Sequence, residues 1–548
     1  MIVPRVFLAA FFWRLAIGLL TCTFFQPDEF YQGLEVAHHA VFGYGHLTWE
    51  WTASPPIRSV VFPILYTPAF WLLKLLKWDE SNALITAPKI IQALFAALTD
   101  VSTWSLSKQV LGDRYCETTF ILSLTSFFHI LALGRTLSNS IETTLTVSAL
   151  CFWPWHHRIS YGQLQLAFIL AAFSCMIRPT SAVIWIFLTL ELLGRNMRNL
   201  QMLTTLITVT ALTAIMTSIG ILCVDTLYYG KPTFTPLNFL VTNLSSVSLF
   251  YGRSPWHYYL FQGIPIVLNI SIPPFLSGSW STMKSGTRHL KTLLASIIWG
   301  VLVYSTLGHK EWRFIHPLLP LCYIFASKAL VDGREKSKKR INKKGATVNK
   351  NILSKRIWLC SLGIFPGIYV MRFHGRAQIS VMHYLRSLDS SVLHSVGFLM
   401  PCHSTPWQSY LHRPELNDGK LWAIGCEPPL NGTNIVTYKD QTVLFYNSPL
   451  NYLKTNFPDT VDETFPPSLF PSTKPGTAPP ADGKWDHQWP SHLIFFGALL
   501  SDIQGGPKVE AYIRELGYGE VWSETNGFEE DWRRRGGVKV WKWQGLDN

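Results

Sequence analysis

Two adjacent carboxylates, Asp28 and Glu29, directly follow the first apolar segment of the chain. A carboxylate fixed at a membrane surface could act as a general base and deprotonate a hydroxyl group of a lipid-linked substrate. Taken alone, the pattern favours a plainer interpretation. Pro27 and two acidic residues suit the first turn of a helix, where negative charge meets the positive end of the helix dipole. The two interpretations are compatible, because a carboxylate at a helix start is also fixed in direction.

A second charged cluster, His309, Lys310, Glu311 and Arg313, occupies a short turn between two later apolar segments. Such a turn could simply contact lipid head groups. Positive charge is usually concentrated on the cytoplasmic side of a membrane protein, so a cationic turn on the other side needs a different explanation. Guanidinium and ammonium groups bind phosphate well. The turn therefore predicts a site for an anionic ligand such as a phosphate.

Other turns add polar groups near the ends of apolar segments. Arg135 and Arg178 join the second cluster as candidate phosphate ligands, and the candidate substrate-binding residues are Glu50, Asn139, Glu142 and Glu311. Arg14 and Asp100 lie deeper within apolar segments, where we expect them to pair in the interior.

Cofactor motifs are absent from the sequence. It has no P-loop, no dinucleotide-binding fingerprint and no Asp-x-Asp motif. Two adjacent histidine pairs, His38/His39 and His156/His157, have no further ligands at the spacing of a metal centre. We therefore predict neither a metal ion nor a cofactor.

Long apolar segments must position these clusters. Charged residues make up 15% of the 548-residue chain and aromatic residues 14%, and a membrane span needs about 20 mostly apolar residues. We predict about eleven spans, near residues 6–25, 88–107, 117–133, 138–155, 162–176, 180–193, 203–224, 257–277, 291–308, 314–331 and 357–371. The predicted fold is a polytopic α-helical membrane region over 1–371, followed by a soluble domain over 372–548.

The net charge of +13 is concentrated in one place. Residues 334–356 contain ten Lys or Arg and one acid. A basic block between apolar segments is typical of a cytoplasmic loop beside anionic lipid, and this location argues against nucleic-acid binding. With that loop inside, the alternation of spans places Asp28, the 308–313 turn and the C-terminal domain on the opposite side. The glycosylation sequons at Asn243 and Asn431 fall on the same side, which supports the topology.

The first large loop, 26–87, contains an amphipathic stretch at 59–78 with two prolines and two lysines. We interpret it as an interfacial or re-entrant segment rather than a span. If it crossed the membrane, every later loop would change sides.

The region 372–548 reads as a small α/β domain. Candidate strands are 434–439, 442–447, 491–499 and 538–543, with a helix near 507–516 and a proline-rich linker over 457–484. Cys402 and Cys426 are the only cysteines in this region. In an oxidising compartment they could pair, and the sequence leaves pairing and free thiols equally open.

Several motifs resemble the glycosyltransferase family 22 mannosyltransferases of the GT-C superfamily. They are the QPDE loop, FGYGHLTWEW at 42–51, RTLSNSIE at 135–142, IRPT at 177–180 and HKEWRF at 309–314, in that order along the chain. One departure matters. The family usually has a histidine before the Pro-Asp-Glu motif, whereas this chain has Gln26. The acid is intact, but a role for that histidine as an orienting group or proton acceptor is in doubt.

The resemblance implies a mannosyltransferase of the endoplasmic-reticulum membrane that uses dolichyl-phosphate mannose, with 26–87 as its luminal catalytic loop. FGYGHLTWEW, WPSHLIFF at 489–496 and DWRRRGGVKVW at 531–541 are most similar to members that act on a glycosylphosphatidylinositol (GPI) anchor precursor. Those members add the third mannose, in α-1,2 linkage, to the second mannose. The donor is β-linked, so the reaction inverts the anomeric centre. Asp28 is then the expected base and Glu29 its helper, while the cations bind the leaving phosphate.

Three alternatives remain at this point. Another family member could add the fourth GPI mannose or extend a dolichol-linked oligosaccharide. A lipid or sugar transporter would also place charges near spans, although internal repeats of the kind found in transporters are not evident. A non-catalytic assembly subunit is the third alternative, and the intact acid pair argues against it.

Overall fold

The computed structural model describes residues 2–155, 160–343, 358–429, 438–468, 485–501 and 505–545. Several sequence predictions fall wholly or largely outside these ranges. They concern His156 and His157, most of the basic block 334–356, Asn431, the candidate strand 434–439 and the linker from 469 to 484.

Helices make up most of the region before residue 372. The α-helices there are Ile2–Leu20, Glu35–Phe42, Trp49–Thr52, Val61–Ile64, Thr67–Leu76, Ala83–Leu111, Asp113–Thr125, Phe127–Ala132, Ser138–Cys151, Tyr161–Ile177, Ala182–Arg195, Leu200–Tyr229, Thr235–Leu244, Ile264–Leu268, Ile272–Ser285, Arg288–Thr306, Leu319–Lys343 and Ile364–Arg372. π-helical turns occur at Phe30–Leu34 and Tyr259–Gly263. 3-10 helical turns occur at Pro179–Ser181, Ser246–Leu249, Asn269–Ser271 and Trp312–Leu318.

Each predicted span coincides with a helix or with a run of short helices. Among the described residues, six helices are long and apolar enough to cross a membrane. Others are shorter or broken. The predicted span 117–133, for example, is interrupted at Ser126, whose hydroxyl accepts the backbone N–H of His129 at 3.1 Å and starts a new helix. The polytopic helical architecture is therefore present, while the count of eleven spans stays a prediction.

The segment 59–78 has the form expected of an interfacial element. Its main helix, Thr67–Leu76, has ten residues, which is about half of what a span needs. Phe70 and Leu73 are buried against the protein, whereas Trp71 and Leu75 are exposed on the opposite face. One apolar face without a protein partner suits a helix that lies in a membrane surface.

A buried ion pair joins two of the long helices. Arg14 on Ile2–Leu20 forms two hydrogen bonds to Asp100 on Ala83–Leu111, at 2.7 and 2.8 Å, and both side chains are fully buried. The expected interior pairing is confirmed. Charges inside a helical membrane region require such a partner.

The basic block begins inside a helix rather than as a loop. The helix Leu319–Lys343 continues past residue 334, so the first part of the predicted loop extends the preceding span in helical form.

In its described residues, the C-terminal domain is built on a five-stranded sheet. Its strands are β1 (Val396–Phe398), β2 (Leu421–Ala423), β3 (His492–Phe496), β4 (Tyr518–Glu524) and β5 (Val538–Trp543), in the order β2-β1-β3-β5-β4. β1 is parallel to β2 and β3, and β5 is antiparallel to β3 and β4. The α-helices of the domain are Arg376–Ser387, Gln408–Leu411, Gln441–Asn447, Pro449–Asn456 and Gly506–Glu515, with short 3-10 turns at Pro414–Leu416, Gly497–Leu500 and Trp532–Arg534. The predicted α/β character, the strands near 491–499 and 538–543 and the helix near 507–516 match this architecture.

One predicted strand, 442–447, is wrong. Its aromatic and β-branched residues favoured a strand, but the structure has the helix Gln441–Asn447 there. Asp440 caps this helix by accepting the backbone N–H of Val443 at 2.7 Å. The cap and the packing of Phe445 in the domain core outweigh the local propensity. β1, β2 and β4 were not predicted.

The two faces of the sheet have different neighbours. Leu493 and Phe495 of β3 pack on the domain's own helices. Ile494 and Phe496, which alternate with them, join a core that also contains Phe30 and Tyr31 of the 26–87 segment. Successive side chains of a strand point to opposite faces, so this sheet links the domain to the segment that carries the acid pair.

The two ends of the membrane region also meet. The backbone N–H of Phe24 donates to the carbonyl of Gly375 at 2.8 Å, and that of Cys22 donates to Met371 at 3.1 Å. The chain therefore leaves its first helix beside the point where it enters the C-terminal domain.

Candidate active site

Asp28 lies in the first helical turn after Pro27. The backbone N–H groups of Phe30 and Tyr31 both donate to the Pro27 carbonyl at 3.0 Å. Asp28 forms an ion pair with Arg313, with 2.7 Å between Oδ2 and Nη1. The Asp28 side chain is 23% exposed and that of Arg313 is 7% exposed. The predicted base and the predicted cationic turn are thus brought together.

Arg313 also binds a second carboxylate, through a two-pronged contact. Its Nε and Nη2 donate to the two oxygens of Glu311 at 2.6 and 2.8 Å. His309 Nε2 lies 3.2 Å from Glu311 Oε1. We call Asp28, His309, Glu311 and Arg313 the Arg313 cluster. Such forked contacts fix both charge and direction.

Electrostatics favour the charged forms of Glu311 and His309. Burial alone would raise the pKa of Glu311, but Arg313 and then His309 hold it well below its ordinary value. The hydrogen bond to Glu311 raises the pKa of His309, which favours the imidazolium form. The cluster therefore combines two basic and two acidic side chains, and one of its carboxylates, that of Asp28, is partly exposed.

Lys310, another predicted phosphate ligand, has a different orientation. Its ammonium group donates to the backbone carbonyls of Ser254, at 2.9 Å, and Leu307. Burial, with the neighbouring Arg253, lowers its pKa. The lysine thus ties the turn to the preceding loop, and its direct contact with phosphate stays a prediction.

Glu29 points away from the Arg313 cluster. It pairs with Arg135 at 3.0 Å, and the two side chains are 9% and 2% exposed. The same guanidinium donates to the carbonyls of Thr23 at 2.6 Å and Leu131 at 2.9 Å. Burial raises the pKa of Glu29 and Arg135 opposes that shift. This pair therefore fixes the chain where it leaves the first helix.

The Arg178 side chain lies beside another buried carboxylate. Its Nε is 3.0 Å from Glu142 Oε2, and its Nη1 donates to the Ser138 hydroxyl at 3.0 Å. Asn139, on the same helix, is buried, and neither atom of its amide has a partner among the described residues. Buried amides normally have partners, which keeps Asn139 a candidate for contact with substrate.

Glu50 has a partner that the sequence did not indicate. Arg58 donates to it at 2.6 Å, and Gln32 donates to its other oxygen at 3.3 Å. Arg58 also interacts electrostatically with Asp28 and Arg313. Glu50 and Arg58 thus flank the Arg313 cluster from the 26–87 segment.

Sequence reasoning missed two neighbouring histidines, His46 and His403. Cys402 and Cys426 form a disulfide, which resolves the alternative left open above. His403, next to that bridge, contacts Tyr31 with 4.5 Å between ring centroids. Burial lowers the pKa of His403 to about 4, and Asp28 acts against that shift. His46, in the FGYGHLTWEW motif, lies 5.6 Å from the His403 ring. The sequence signals were the position of His403 beside a cysteine and that of His46 within the FGYGHLTWEW motif.

Two groups of side chains in the described parts of the chain have metal-ligating character. Cys402, His403 and Cys426 form one, but the two sulfur atoms are bonded to each other. The other is Asp79, Glu80 and His412. Neither includes the Arg313 cluster. The prediction that the reaction needs no metal stays a prediction.

The described sequon residue Asn243 is exposed near the end of the helix Thr235–Leu244. Its side-chain amide donates to the Phe239 carbonyl at 2.8 Å. Its glycosylation stays a prediction.

The fold has counterparts among solved structures. The fold is similar to that of ArnT from Cupriavidus metallidurans in the apo state, with a TM-score of 0.54 at 13% identity, over 98% of this chain and 97% of that one. A second ArnT structure, bound to undecaprenyl phosphate, gives a TM-score of 0.52 at 12% identity. The chain therefore has the same overall fold as these two ArnT structures.

Sequence comparison then gives the family. Residues 5–412 match the model of the Alg9-like mannosyltransferase family, and the chain belongs to that family. It is 36% identical over 543 residues to "GPI mannosyltransferase 3" of Yarrowia lipolytica, covering 98% of this chain and 96% of that protein. It is 32% identical over 500 residues to "GPI alpha-1,2-mannosyltransferase 3" of Homo sapiens, covering 90% and 80%. The family resemblance read from the motifs is confirmed.

Proposed function

We propose that this protein transfers mannose from dolichyl-phosphate mannose to the second mannose of a GPI-anchor precursor. The product carries a third mannose in α-1,2 linkage. Relatives named GPI mannosyltransferase 3 or GPI alpha-1,2-mannosyltransferase 3 match between 81% and 98% of the chain, in fungi and in vertebrates. These names favour this acceptor over a fourth GPI mannose or a dolichol-linked oligosaccharide. Membership of a mannosyltransferase family also favours an enzyme over a transporter.

The observation that carries the proposal is the ion pair between Asp28 and Arg313. Arg313 holds Oδ2, while Oδ1 receives no hydrogen bond from the described residues. Asp28 is also partly exposed. A carboxylate that is fixed through one oxygen and open at the other can accept the proton of an acceptor hydroxyl.

The step is an inverting displacement. The acceptor O–H bond breaks, its proton passes to Asp28, and the oxygen forms a bond to the anomeric carbon of the donor mannose. The bond between that carbon and the phosphate oxygen breaks, and dolichyl phosphate leaves as an anion. Base and leaving group must lie on opposite faces of the sugar, which inverts the β-linkage to α.

The leaving phosphate needs hydrogen-bond donors and positive charge rather than an acid. His309 and Arg313 supply them at the Arg313 cluster, where the raised pKa of His309 favours its charged form. Arg178 interacts electrostatically with both Arg313 and Asp28, so a phosphate there would meet several cations. The solved neighbour bound to undecaprenyl phosphate supports a polyprenyl-phosphate ligand on this fold.

The location follows from the same proposal. A GPI-precursor enzyme would reside in the endoplasmic-reticulum membrane, with the Arg313 cluster, the segment 26–87 and the C-terminal domain in the lumen. The disulfide between Cys402 and Cys426 supports an oxidising compartment, and the outward apolar face of Thr67–Leu76 supports a position at the membrane surface.

Reconstitution tests the proposal. Purified protein would receive dolichyl-phosphate mannose and three acceptors in parallel. One is a GPI precursor ending in the second mannose, one ends in the third mannose, and one is a dolichol-linked oligosaccharide. We expect transfer only to the first, in a product that an α-1,2-specific mannosidase cleaves, and with activity retained in chelator. Transfer to another acceptor, or a different linkage, would replace the proposed reaction with that of another family member.

A further inference from the structure

Three side chains that can ligate a metal meet where the end of the 26–87 segment contacts the C-terminal domain. Asp79 and Glu80 lie just before the long helix Ala83–Leu111, and His412 belongs to the domain. His412 Nε2 is 3.3 Å from Asp79 Oδ2 and 4.0 Å from Glu80 Oε1. The proposed reaction gives these three residues no function.

We propose that Asp79, Glu80 and His412 bind one divalent metal ion and that Zn²⁺ is the cation that fits them best. None of these ligands belongs to the Arg313 cluster, so the ion is structural, and it crosslinks the segment and the domain. The inference goes beyond the proposed function and does not depend on it. Asp79 and His412 are 333 positions apart in the chain, which is why ligand spacing in the sequence predicted no metal. The prediction of a metal-free reaction is unaffected.

A chain of hydrogen bonds fixes the lone pair of the His412 ring. His38 Nδ1 lies 3.1 Å from the Tyr44 carbonyl, which can only accept, so this nitrogen carries a proton. A buried imidazole is uncharged at neutral pH and has a single N–H. His38 Nε2 is therefore an acceptor, and His412 Nδ1, at 2.8 Å, must donate to it. That leaves the lone pair of His412 on Nε2, the nitrogen that faces the two carboxylates.

The shortest contact in this chain excludes the other tautomer of His412. The Tyr44 hydroxyl also lies 3.0 Å from His412 Nδ1. If the hydroxyl donated to that nitrogen, the lone pairs of His412 Nδ1 and His38 Nε2 would face each other at 2.8 Å. Two facing lone pairs repel, so the hydroxyl does not donate to His412.

The lone pair of His412 faces negative charge and needs a cation between them. With this tautomer, Nε2 and Asp79 Oδ2 are both acceptors, although they lie only 3.3 Å apart. A proton shared between them would give a charge-assisted hydrogen bond of about 2.7–2.9 Å, which is shorter than the observed distance. Ligand atoms at about 2.0–2.1 Å from a tetrahedral zinc ion lie about 3.3 Å from one another. The distance therefore fits a metal better than a proton.

Charge and ligand type also favour zinc. Two carboxylates balance a divalent ion, and among the described residues no lysine or arginine is within salt-bridge distance of either. Arg386 lies nearby, but its guanidinium donates to the backbone carbonyls of Asp79 and Ser81, at 3.1 and 3.0 Å, and so fixes the turn. An imidazole with two carboxylates suits Zn²⁺, whereas Ca²⁺ and Mg²⁺ prefer ligand sets made of oxygen.

The ligands differ in how firmly they are held. The His412 side chain is 4% exposed, whereas that of Glu80 is 79% exposed. An exposed glutamate can change its rotamer to complete the coordination, and water can take the fourth position. His38 has the part of the outer partner that accepts the second N–H of a metal-binding histidine and orients its ring.

The test measures zinc binding by full-length protein in detergent, purified without a metal-affinity tag and dialysed against chelator. Zinc is titrated in competition with a chromophoric chelator, under conditions that keep the disulfide oxidised. We expect wild type to bind one zinc ion per chain. His38→Ala should weaken binding about tenfold to a hundredfold, because it removes the outer partner, and His412→Ala should weaken it further. Glu80→Gln changes an exposed side chain, so it should weaken binding without affecting the fold.

His403→Ala is the matched control, because His403 belongs to the other group of potential ligands. It should leave the zinc affinity unchanged. Added zinc should raise the melting temperature of metal-free wild type and of His403→Ala, and leave that of His412→Ala unchanged. Mannose transfer below the melting temperature should persist in chelator.

Several results would overturn the site. They are wild type that takes up no zinc, equal zinc affinity in wild type and in folded His412→Ala and Glu80→Gln, and loss of zinc binding in folded His403→Ala. A melting temperature that responds to pH but not to zinc would assign a proton to the pair of His412 and Asp79 and would also overturn it. Loss of mannose transfer in chelator by protein that stays folded would overturn the structural role of the ion.

Discussion

Asp28 and Glu29 are neighbours in the chain, but their side chains point into two different regions of the molecule. Asp28 faces the partly open Arg313 cluster, where Arg313 is shared with Glu311. Glu29 faces a closed region, where Arg135 also binds backbone carbonyls. The comparison shows how one acid of the pair can be free for chemistry while the other fixes the fold.

The two arginines differ in whether an incoming ligand could replace their hydrogen-bond partners. Arg135 has its donors committed to Glu29, to backbone oxygens and to the Thr23 hydroxyl. Arg313 binds two side chains from two separate segments, and an incoming phosphate could take the place of either. Pairs of the first kind stabilise, whereas pairs of the second kind can rearrange during a reaction.

Replacing Asp28, whose carboxylate is partly exposed, should give the largest effect on turnover. In Asp28→Asn the amide keeps the shape and an acceptor for Arg313, but it cannot take a proton at neutral pH. We expect mannose transfer to fall about a thousandfold, with a melting temperature close to that of wild type. Radiolabelled transfer and thermal melting of the same preparation provide the two measurements.

The conservative variant Asp28→Glu serves as the comparison, because it keeps a base in a shifted position and should retain part of the activity. Near-normal turnover by Asp28→Asn would remove Asp28 from the role of base and would end the contrast with Glu29.

Replacing Glu29, whose carboxylate is buried against Arg135, should act mainly on stability. Glu29→Gln leaves the buried Arg135 guanidinium without its counter-charge. Breaking a buried ion pair in this way costs about 3–5 kcal/mol. We expect a lower melting temperature and lower yield, while turnover per folded molecule changes much less than in Asp28→Asn.

The amount of folded enzyme is measured as the yield of monodisperse protein in gel filtration, and turnover is divided by that amount. This separates a loss of stability from a loss of catalysis. If Glu29→Gln were as stable as wild type but inactive, Glu29 would belong to the chemistry and the proposed division between the two acids would be wrong.

A smaller effect concerns Glu35, which joins the 26–87 segment to the C-terminal domain. Its oxygens accept the backbone N–H groups of His46 at 3.2 Å, Gln408 at 3.0 Å and Ser409 at 2.8 Å. Burial raises its pKa from 4.5 to about 7, although these N–H groups oppose the shift. The folded state therefore holds the proton more tightly than the unfolded chain. Its stabilising contribution is complete below about pH 4.5 and is lost as pH rises through about 7, by up to about 3 kcal/mol.

The variant Glu35→Gln removes this titration. We expect wild-type melting temperatures to fall between pH 5 and 8 by more than those of Glu35→Gln, in the same detergent and salt. Parallel curves for the two proteins would show that Glu35 does not titrate in this range.

Much of this architecture was predictable because membrane spans leave a strong local signal. The apolar segments matched helices, and the charge bias of the loops put Asp28 and Arg313 on one side, where the structure joins them. The prediction of a strand at 442–447 was wrong because the helix cap Asp440 and the packing of Phe445 in the domain core determine the local structure. Aromatic composition cannot reveal that.

The residues that were missed share a physical reason. His403 and Glu35 acquire their roles through contacts between the 26–87 segment and the C-terminal domain, such as that between Glu35 and Ser409, 374 positions apart. Periodicity and spacing report only on neighbours in the chain. The roles of such residues depend on a tertiary interface that no local pattern encodes.

The closing of the first segment onto the last domain sets an order of events during biosynthesis. A ribosome makes Asp28 285 residues before Arg313 and Tyr31 374 residues before Thr405. The nascent 26–87 segment therefore lacks the last of these partners until nearly four hundred further residues have been made. A premature stop codon that removed only the final third would spare most of the helices and still remove the strands that share a core with Phe30 and Tyr31.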